Sequence, residues 1–380
     1  MKKLRAGVVG VGFIGAAHIE AVRRLGYVEV TAICDNIPDP SEIAKKLSVE
    51  RWYTDYREMI EKEHLDVVHI CTPNVSHFEI AKCAIAYGAA VLCEKPLAFT
   101  VSEAEELTRL AKEAGICNAV NFHSRYYPMI REMRELVRKG ELGDIISIHG
   151  GYLQDWLLLD TDYSWRLESA QAGDSRAVAD IGSHWIDSVE FITGLKIRRV
   201  FSDFAIFYKT RKRPSKQVET FSNKVVDTEA YEAFQVDTED FAQVLFEFDN
   251  GARGNMIVSQ MYAGRKNQMI ISVAGYQKAL YFDSEALNDL WLGSRSGYNS
   301  SIVKDPALLE PGAAAVNAYP GGHVEGFPDA FTGAFRAFYE RVRNGAEGEY
   351  ATFADGLREM RICDAIVTSF KRGGWVDIKG

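Results

Sequence analysis

Through the first 120 residues, short apolar runs alternate with segments whose apolar residues recur every three or four positions. Leu4 to Val9, Glu29 to Cys34, Asp66 to Cys71, Ala89 to Cys93 and Asn118 to Asn121 read as strands. Runs this short and this apolar suit parallel strands covered on both faces. Between them, Phe13 to Leu25, Asn74 to Tyr87 and Val101 to Ala114 carry helical spacing, the last opened by the capping-box pattern Thr100-Val-Ser-Glu103. Repeated strand–helix units predict an α/β fold with a doubly wound parallel sheet, the Rossmann arrangement, and a ligand at the carboxyl ends of its strands.

The texture changes after Arg125. A helical stretch runs to Lys139, followed by the turn Gly140-Glu-Leu-Gly143 and a strand, Ile145 to Leu153. Period-two or β-rich segments follow at Lys196 to Tyr208, Val236 to Asp249, Ala252 to Gln260, Gln268 to Val273, Ala279 to Phe282 and Asp289 to Leu292. That predicts an antiparallel sheet in a second α/β domain, with the division at residues 1–123 and 124–380. One helix, Asp180 to Ile192, interrupts the β pattern, and two more, near Pro328 to Arg343 and Phe353 to Lys371, close the chain. Two long loops, Thr210 to about Ala230 and Gly293 to Gly322, have the size of lids or oligomer arms.

Composition is that of an ordinary globular protein, and 44 basic against 53 acidic residues leave a net charge of −9. That balance opposes non-specific binding to nucleic acid or anionic membrane. The basic cluster Lys209, Arg211, Lys212, Arg213 and Lys216 lacks interleaved aromatics and reads as a solvated surface loop. Six cysteines without a CxxC pair suit packing in a reducing compartment, and no metal site is expected. The start Met-Lys-Lys-Leu-Arg lacks the pattern of a secretory signal, so a cytoplasmic location is expected. No apolar stretch approaches the roughly 20 residues that span a bilayer.

Gly10-Val-Gly12-Phe13-Ile14-Gly15 follows a predicted strand and precedes a helix, the context a dinucleotide fingerprint requires. The first glycine makes the turn, the second admits the pyrophosphate, and the third lets helix and strand approach. Asp35, at the end of the second run, is placed to accept hydrogen bonds from the adenosine ribose and to repel a 2′-phosphate, favouring NAD over NADP. Thr72-Pro73-Asn74 ends another strand, with His77 one turn on. Asn74 suits a helix N-cap, a cofactor contact or both; His77 suits a cofactor contact or a surface position. Glu94-Lys95-Pro96 emerges at the same sheet edge as the glycine loop, so Lys95 is suited to hydrogen-bond a substrate hydroxyl, and Glu94 to orient it or hold the nicotinamide ribose.

Far downstream, Asp180-Ile-Gly-Ser-His184 places an acid and a base four residues apart on one predicted helical face. Together with Asn121-Phe-His-Ser-Arg125-Tyr-Tyr-Pro128 and Gly140-Glu-Leu-Gly143, these motifs occur in the order found in the Gfo/Idh/MocA oxidoreductases, which the chain resembles over nearly its whole length. The resemblance implies a Rossmann domain joined to an α/β domain with an open, mostly antiparallel sheet. It implies NAD chemistry on sugars, inositols or related polyols, with Lys95, Asp180 and His184 catalytic and a cis bond before Pro96. Asn121 and Arg125 then belong to the cofactor and substrate sites. Tyr152-Leu-Gln154-Asp155-Trp156 and Ser164-Trp165-Arg166 are similar to segments of the levoglucosan and glycoside 3-dehydrogenase branch. Their rings and polar groups suit a carbohydrate pocket, with the two tryptophans alternatively filling the domain interface. The stretch Gly173-Asp-Ser-Arg-Ala-Val-Ala departs from the more glycine-rich approach of that branch. His323 is a further candidate for the pocket.

The expected reaction is oxidation of a secondary hydroxyl, at C3 in that branch, with His184 as base, Asp180 holding its tautomer and Lys95 on the reacting oxygen. A glycosidase using NAD transiently and a non-enzymatic sugar or NAD sensor are the alternatives. The exposed face of an open sheet needs covering, and the resemblance implies a homodimer or homotetramer through it.

Overall fold

The computed structural model describes residues 3–214 and 231–379, so Lys216 and the end of the first long loop lie outside the described residues. Strands β1 (Leu4–Val9), β2 (Val28–Cys34), β3 (Arg51–Tyr53), β4 (Val67–Ile70), β5 (Ala90–Cys93) and β6 (Asn118–Val120) form a parallel sheet in the order β3-β2-β1-β4-β5-β6. Val8, Ile33, Val68 and Val91 are wholly buried because helices cover both faces. The order reverses between β1 and β4, opening a crevice at their carboxyl ends. β3 carried no apolar signal: it is three residues long, and Arg51 and Trp52 are exposed.

The second domain contains β7 (Ile145–Leu153), β8 (Ile197–Ala205), β9 (Thr210–Pro214), β10 (Tyr231–Gln235), β11 (Phe241–Phe248), β12 (Arg253–Ser259), β13 (Gln268–Gly275), β14 (Lys278–Asp283), β15 (Asp289–Ser294), β16 (Ser300–Val303) and β17 (Val376–Asp377). Nine of them form one sheet, β16-β15-β14-β13-β7-β12-β11-β8-β17, antiparallel except where β7 meets β12. One face, with Val244, Phe246, Met256, Val258 and Ile271, is buried beneath helices Pro128–Arg138 and Ser183–Thr193. The other leaves Leu245, Ile257, Tyr281 and Trp291 exposed.

Both expected loops carry structure. β9 and β10 pair as an antiparallel ribbon, and the second loop holds β16 and a short helix, Pro311–Ala314. The basic cluster is not uniformly solvated either. Arg211 is fully buried, donating to the Leu157 and Leu159 carbonyls and to Asp240. Asp240 also pairs with the wholly buried Arg176, so one carboxylate gathers two guanidiniums.

That pairing explains how the chain enters helix 183–193. A π-turn, Val178–Gly182, replaces the start of the α-helix expected from Asp180. Arg176 anchors its approach, and the Glu239 carboxylate accepts from the Arg176 and Val178 amides and the Ser175 hydroxyl. Gly182 runs close to the sheet, where an added Cβ would lie 3.2 Å from Met256 Cε.

The last long helices bind the domains together. Phe331, Phe335, Phe338 and Tyr339 of helix Phe327–Asn344 share a core with Ala6, Val67, Ala90 and Leu92 of the first sheet. Each such ring contributes about 1.5–3 kcal/mol on burial. The helix stops at Gly345, whose φ of 68° is the left-handed geometry a glycine allows.

Candidate active site

The crevice is a cavity of about 360 Å³ lined by Gly10, Gly12, Phe13, Ile14, Asp35, Thr72, Pro73, Asn74, Glu94 and Lys95. The glycines divide their work as the fingerprint requires. A Cβ on Gly10, at φ 84°, would meet the Cys71 carbonyl at 2.8 Å, and one on Gly15 would lie 2.0 Å from the Gly10 oxygen. A Cβ on Gly12 would meet nothing within 4 Å. Helix Phe13–Arg24 begins there without a side-chain cap or an acidic residue in its first turn, leaving amides suited to phosphate. Asp35 Oδ2 accepts from the Val11 amide at 2.9 Å, holding the carboxylate at the end of β2. The cradle therefore fits a dinucleotide lying from β2 across the glycine loop to β5. Asn36, Thr54 and Tyr56 also line the adenosine end, without a motif to mark them in sequence.

At the β5 end, the bond between Lys95 and Pro96 is cis, and Lys95 Nζ donates to Asp180 twice, to the carbonyl at 2.5 Å and to Oδ1 at 2.8 Å. Arg166 Nε donates to the same Oδ1 at 3.0 Å and Gln260 Nε2 to Oδ2 at 2.9 Å. Burial pushes the Asp180 carboxyl up, but Arg166 and Lys95 outweigh it and hold it far below the usual carboxylate range. Both oxygens are committed, and no hydrogen bond among the described residues joins Asp180 to His184. Asp180 does not hold the imidazole tautomer; its partner is the lysine, because the π-turn and two cations draw the carboxylate toward the cleft.

His184 is packed against Phe122, His123 and Tyr152, with ring centroids 6.1, 5.1 and 6.3 Å away. Burial, then Lys95 and His123, drive its pKa well below 6.5, while Asp180 opposes them weakly. The ring is neutral at neutral pH, and its Nδ1 is buried without a hydrogen-bond partner among the described residues. His123, which sequence reasoning passed over inside the Asn121–Arg125 motif, is held neutral too, burial lowering it to about 4.

Other expected site residues are used differently. Arg125 is spent on Asp187, through bonds of 2.8 and 2.5 Å, and on Asp355, so it braces helix 183–193 rather than facing substrate. His77 is fully buried, with its nitrogens on the Pro96 and Thr72 carbonyls; it ties two cleft loops together from beneath. Asn74 is not a helix cap: its amide donates to the Ala172 carbonyl and links the domains. Asn121 lies behind the cleft on Glu94, at 2.5 Å. Gln154 is buried on Asn267, Asp155 is tied to Lys266 and the Gly264 amide, and His323 is exposed with its ring near the Gly321 carbonyl. Tyr152 stays beside His184, and Trp165, stacked on Arg166, lines the cleft. Among the described residues no cluster of histidine, cysteine and carboxylate groups could hold a metal ion.

Residues 4–122 match the model of the Gfo/Idh/MocA oxidoreductase family's NAD-binding Rossmann fold, and residues 130–280 that of the family's C-terminal domain. An oxidoreductase domain protein from Kribbella flavida superposes with a TM-score of 0.89 at 32% identity, covering 100% of both chains. The chain belongs to the Gfo/Idh/MocA oxidoreductases. Levoglucosan dehydrogenase of Pseudarthrobacter phenanthrenivorans is 28% identical over 100% of this chain and 99% of its own. A structure of levoglucosan dehydrogenase with NADH and L-sorbose gives a TM-score of 0.89 at 27% identity, covering 100% of each chain. The family match covers the glycine loop, Lys95 and much of the open second sheet of this Gfo/Idh/MocA member.

Proposed function

We propose that the protein is an NAD-dependent dehydrogenase that oxidises a secondary hydroxyl of a sugar, glycoside or polyol to a ketone, at C3 where the substrate is a sugar or glycoside. The observation that carries this reading is the placement of Lys95 at the cleft end, held by Asp180, beside the neutral imidazole of His184. Bound NAD supplies the acceptor for the hydride. Asp35 receives the adenosine ribose and the Gly12 backbone admits the pyrophosphate. His184 takes the hydroxyl proton on a ring nitrogen that is bare at neutral pH. Lys95 donates a hydrogen bond to the reacting oxygen and steadies the charge that grows there. Asp180, itself held by Gln260, fixes the lysine, and Arg166 keeps the carboxylate ionised while reaching the cleft. Tyr152 and Trp165 offer ring faces to the C–H surface of a sugar.

Similarity over the full length to levoglucosan dehydrogenase supports the substrate class. The exposed sheet face supports a homodimer or homotetramer. Purified protein incubated with NAD and a panel of monosaccharides, glycosides and inositols is expected to release NADH in step with a keto product located by NMR. Turnover without accumulated NADH, or none across the panel, would overturn the reading.

A further inference from the structure

Behind Glu94 lies a row of buried polar groups that the oxidation chemistry does not use. Tyr339 Oη is 2.7 Å from His69 Nε2, His69 Nδ1 is 2.9 Å from His18 Nδ1, and His18 Nε2 is 2.9 Å from Glu94 Oε1. His18, His69 and Tyr339 are each 0% exposed, and Phe331 and Phe335 wall in the imidazoles. The row begins on the helix of residues 327–344 and ends on the last residue before Lys95.

Its protons can be assigned from its end. Glu94 is pushed up by burial but held at about 2 by the bonds from His18 and Asn121, so it is an acceptor and His18 Nε2 carries hydrogen. Burial keeps His69 neutral, with one N–H. With a single hydrogen on His18, Tyr339 donates its hydroxyl hydrogen to His69 Nε2, His69 Nδ1–H donates to His18 Nδ1, and His18 Nε2–H donates to Glu94. With a second hydrogen on His18 Nδ1 the two bonds beyond it reverse, and His18 Nε2–H still donates to Glu94. A hop along the row would create a Tyr339 phenolate, which burial opposes strongly, so the row orients and does not deliver protons.

Glu94 Oε1 thus receives two donors, His18 and Asn121. Oε2 touches the Lys95 amide at 3.3 Å, and Glu94 lines the crevice at the end opposite Asp35. We propose that His18, His69 and Tyr339 are positioning residues that hold the Glu94 carboxylate as a fixed acceptor for the ribose hydroxyls on the nicotinamide side of the dinucleotide. The proposal rests on the NAD reading above. Without Tyr339's hydroxyl nothing beyond His69 fixes which of its nitrogens carries the proton. If that proton moves, the His69–His18 contact is left with two donors or two acceptors, and His18 is no longer held on Glu94.

Calorimetric titration of NADH and of ADP, which has the adenosine and pyrophosphate but no nicotinamide ribose, tests this. In Tyr339→Phe, NADH affinity is expected to fall about tenfold, the worth of one hydrogen bond to a charged group, while ADP affinity stays within about twofold. Equal weakening of both ligands would reduce the row to a structural plug, and unchanged NADH affinity would remove its positioning role. A second comparison covers poor folding of that variant. His18→Gln retains an amide donor for Glu94 and should bind NADH more tightly than His18→Leu at matched ADP affinity; the reverse order would overturn the proposal. Failure of the NAD reading is a different result, in which the unaltered protein binds neither ligand.

Discussion

Lys95 Nζ and Asp180 Oδ1 lie 2.8 Å apart although 85 residues separate them, and the side chains are only 10% and 12% exposed. In Asp180→Ala, the Lys95 and Arg166 cations would share a buried site without their common anion, and the ammonium would leave the reacting oxygen. We expect kcat to fall about 10²–10⁴-fold with little change in NADH affinity, measured by steady-state kinetics and direct titration. Turnover within twofold of the unaltered protein would contradict the assignment.

The state of His184 makes a prediction about pH. Burial, Lys95 and His123 hold its pKa well below 6.5, so the base form persists below the pH at which a free imidazole would protonate. The limb of kcat/KM that reports this base should stay flat as pH falls through 6.5 and drop only well below it. A profile that halves near 6.5 would show a solvated imidazole or another base. His184→Ala should lose activity at every pH, and full turnover in that variant would exclude the residue.

Asp35 is expected to set the cofactor preference. Its carboxylate, held by the Val11 amide, stands where the adenosine ribose would lie. Asp35→Ala removes an acceptor for ribose hydroxyls and the repulsion toward a 2′-phosphate. NAD affinity is expected to fall about tenfold while NADP affinity rises, as read by titrating both. Loss of both affinities in parallel would mean that the residue merely supports the glycine loop.

The open sheet offers a separate test. Leu245, Ile257, Tyr281 and Trp291 project from the face away from the helices and are 36–47% exposed. Leu245→Arg with Trp291→Glu should convert the expected dimer or tetramer to a smaller species in light scattering, with the cofactor crevice untouched. A monomeric unaltered protein would refute the assembly.

What could be read in advance follows the range of the forces involved. Five of the six strands of the first sheet and the capping box before Val101 were legible because apolar runs, glycines and caps act locally. β7 was legible to the residue, at Ile145–Leu153. β9 escaped because it reads Thr-Arg-Lys-Arg-Pro, and its buried Arg211 is tolerated through distant partners, Asp240 and the Leu157 and Leu159 carbonyls. Helical spacing paired Asp180 with His184, but spacing cannot reveal that Lys95, Arg166 and Gln260 would claim the carboxylate, or that Glu239 would hold a π-turn. Arg125 and His77 were recognised as notable, yet their partners, Asp187 and two carbonyls, are set by tertiary contact. His18 was hidden for the same reason: a histidine within an apolar helix face gives no sign of the glutamate it meets.

Helix 327–344 occupies a face of the first sheet, covering strands made more than two hundred residues earlier. Residues 1–123 therefore leave the ribosome with apolar surface bare and with His69 lacking Tyr339. The nucleotide-binding half is completed by a helix made about two hundred residues after its last strand, so a product truncated before that helix would lose its cofactor cradle even with every fingerprint residue present.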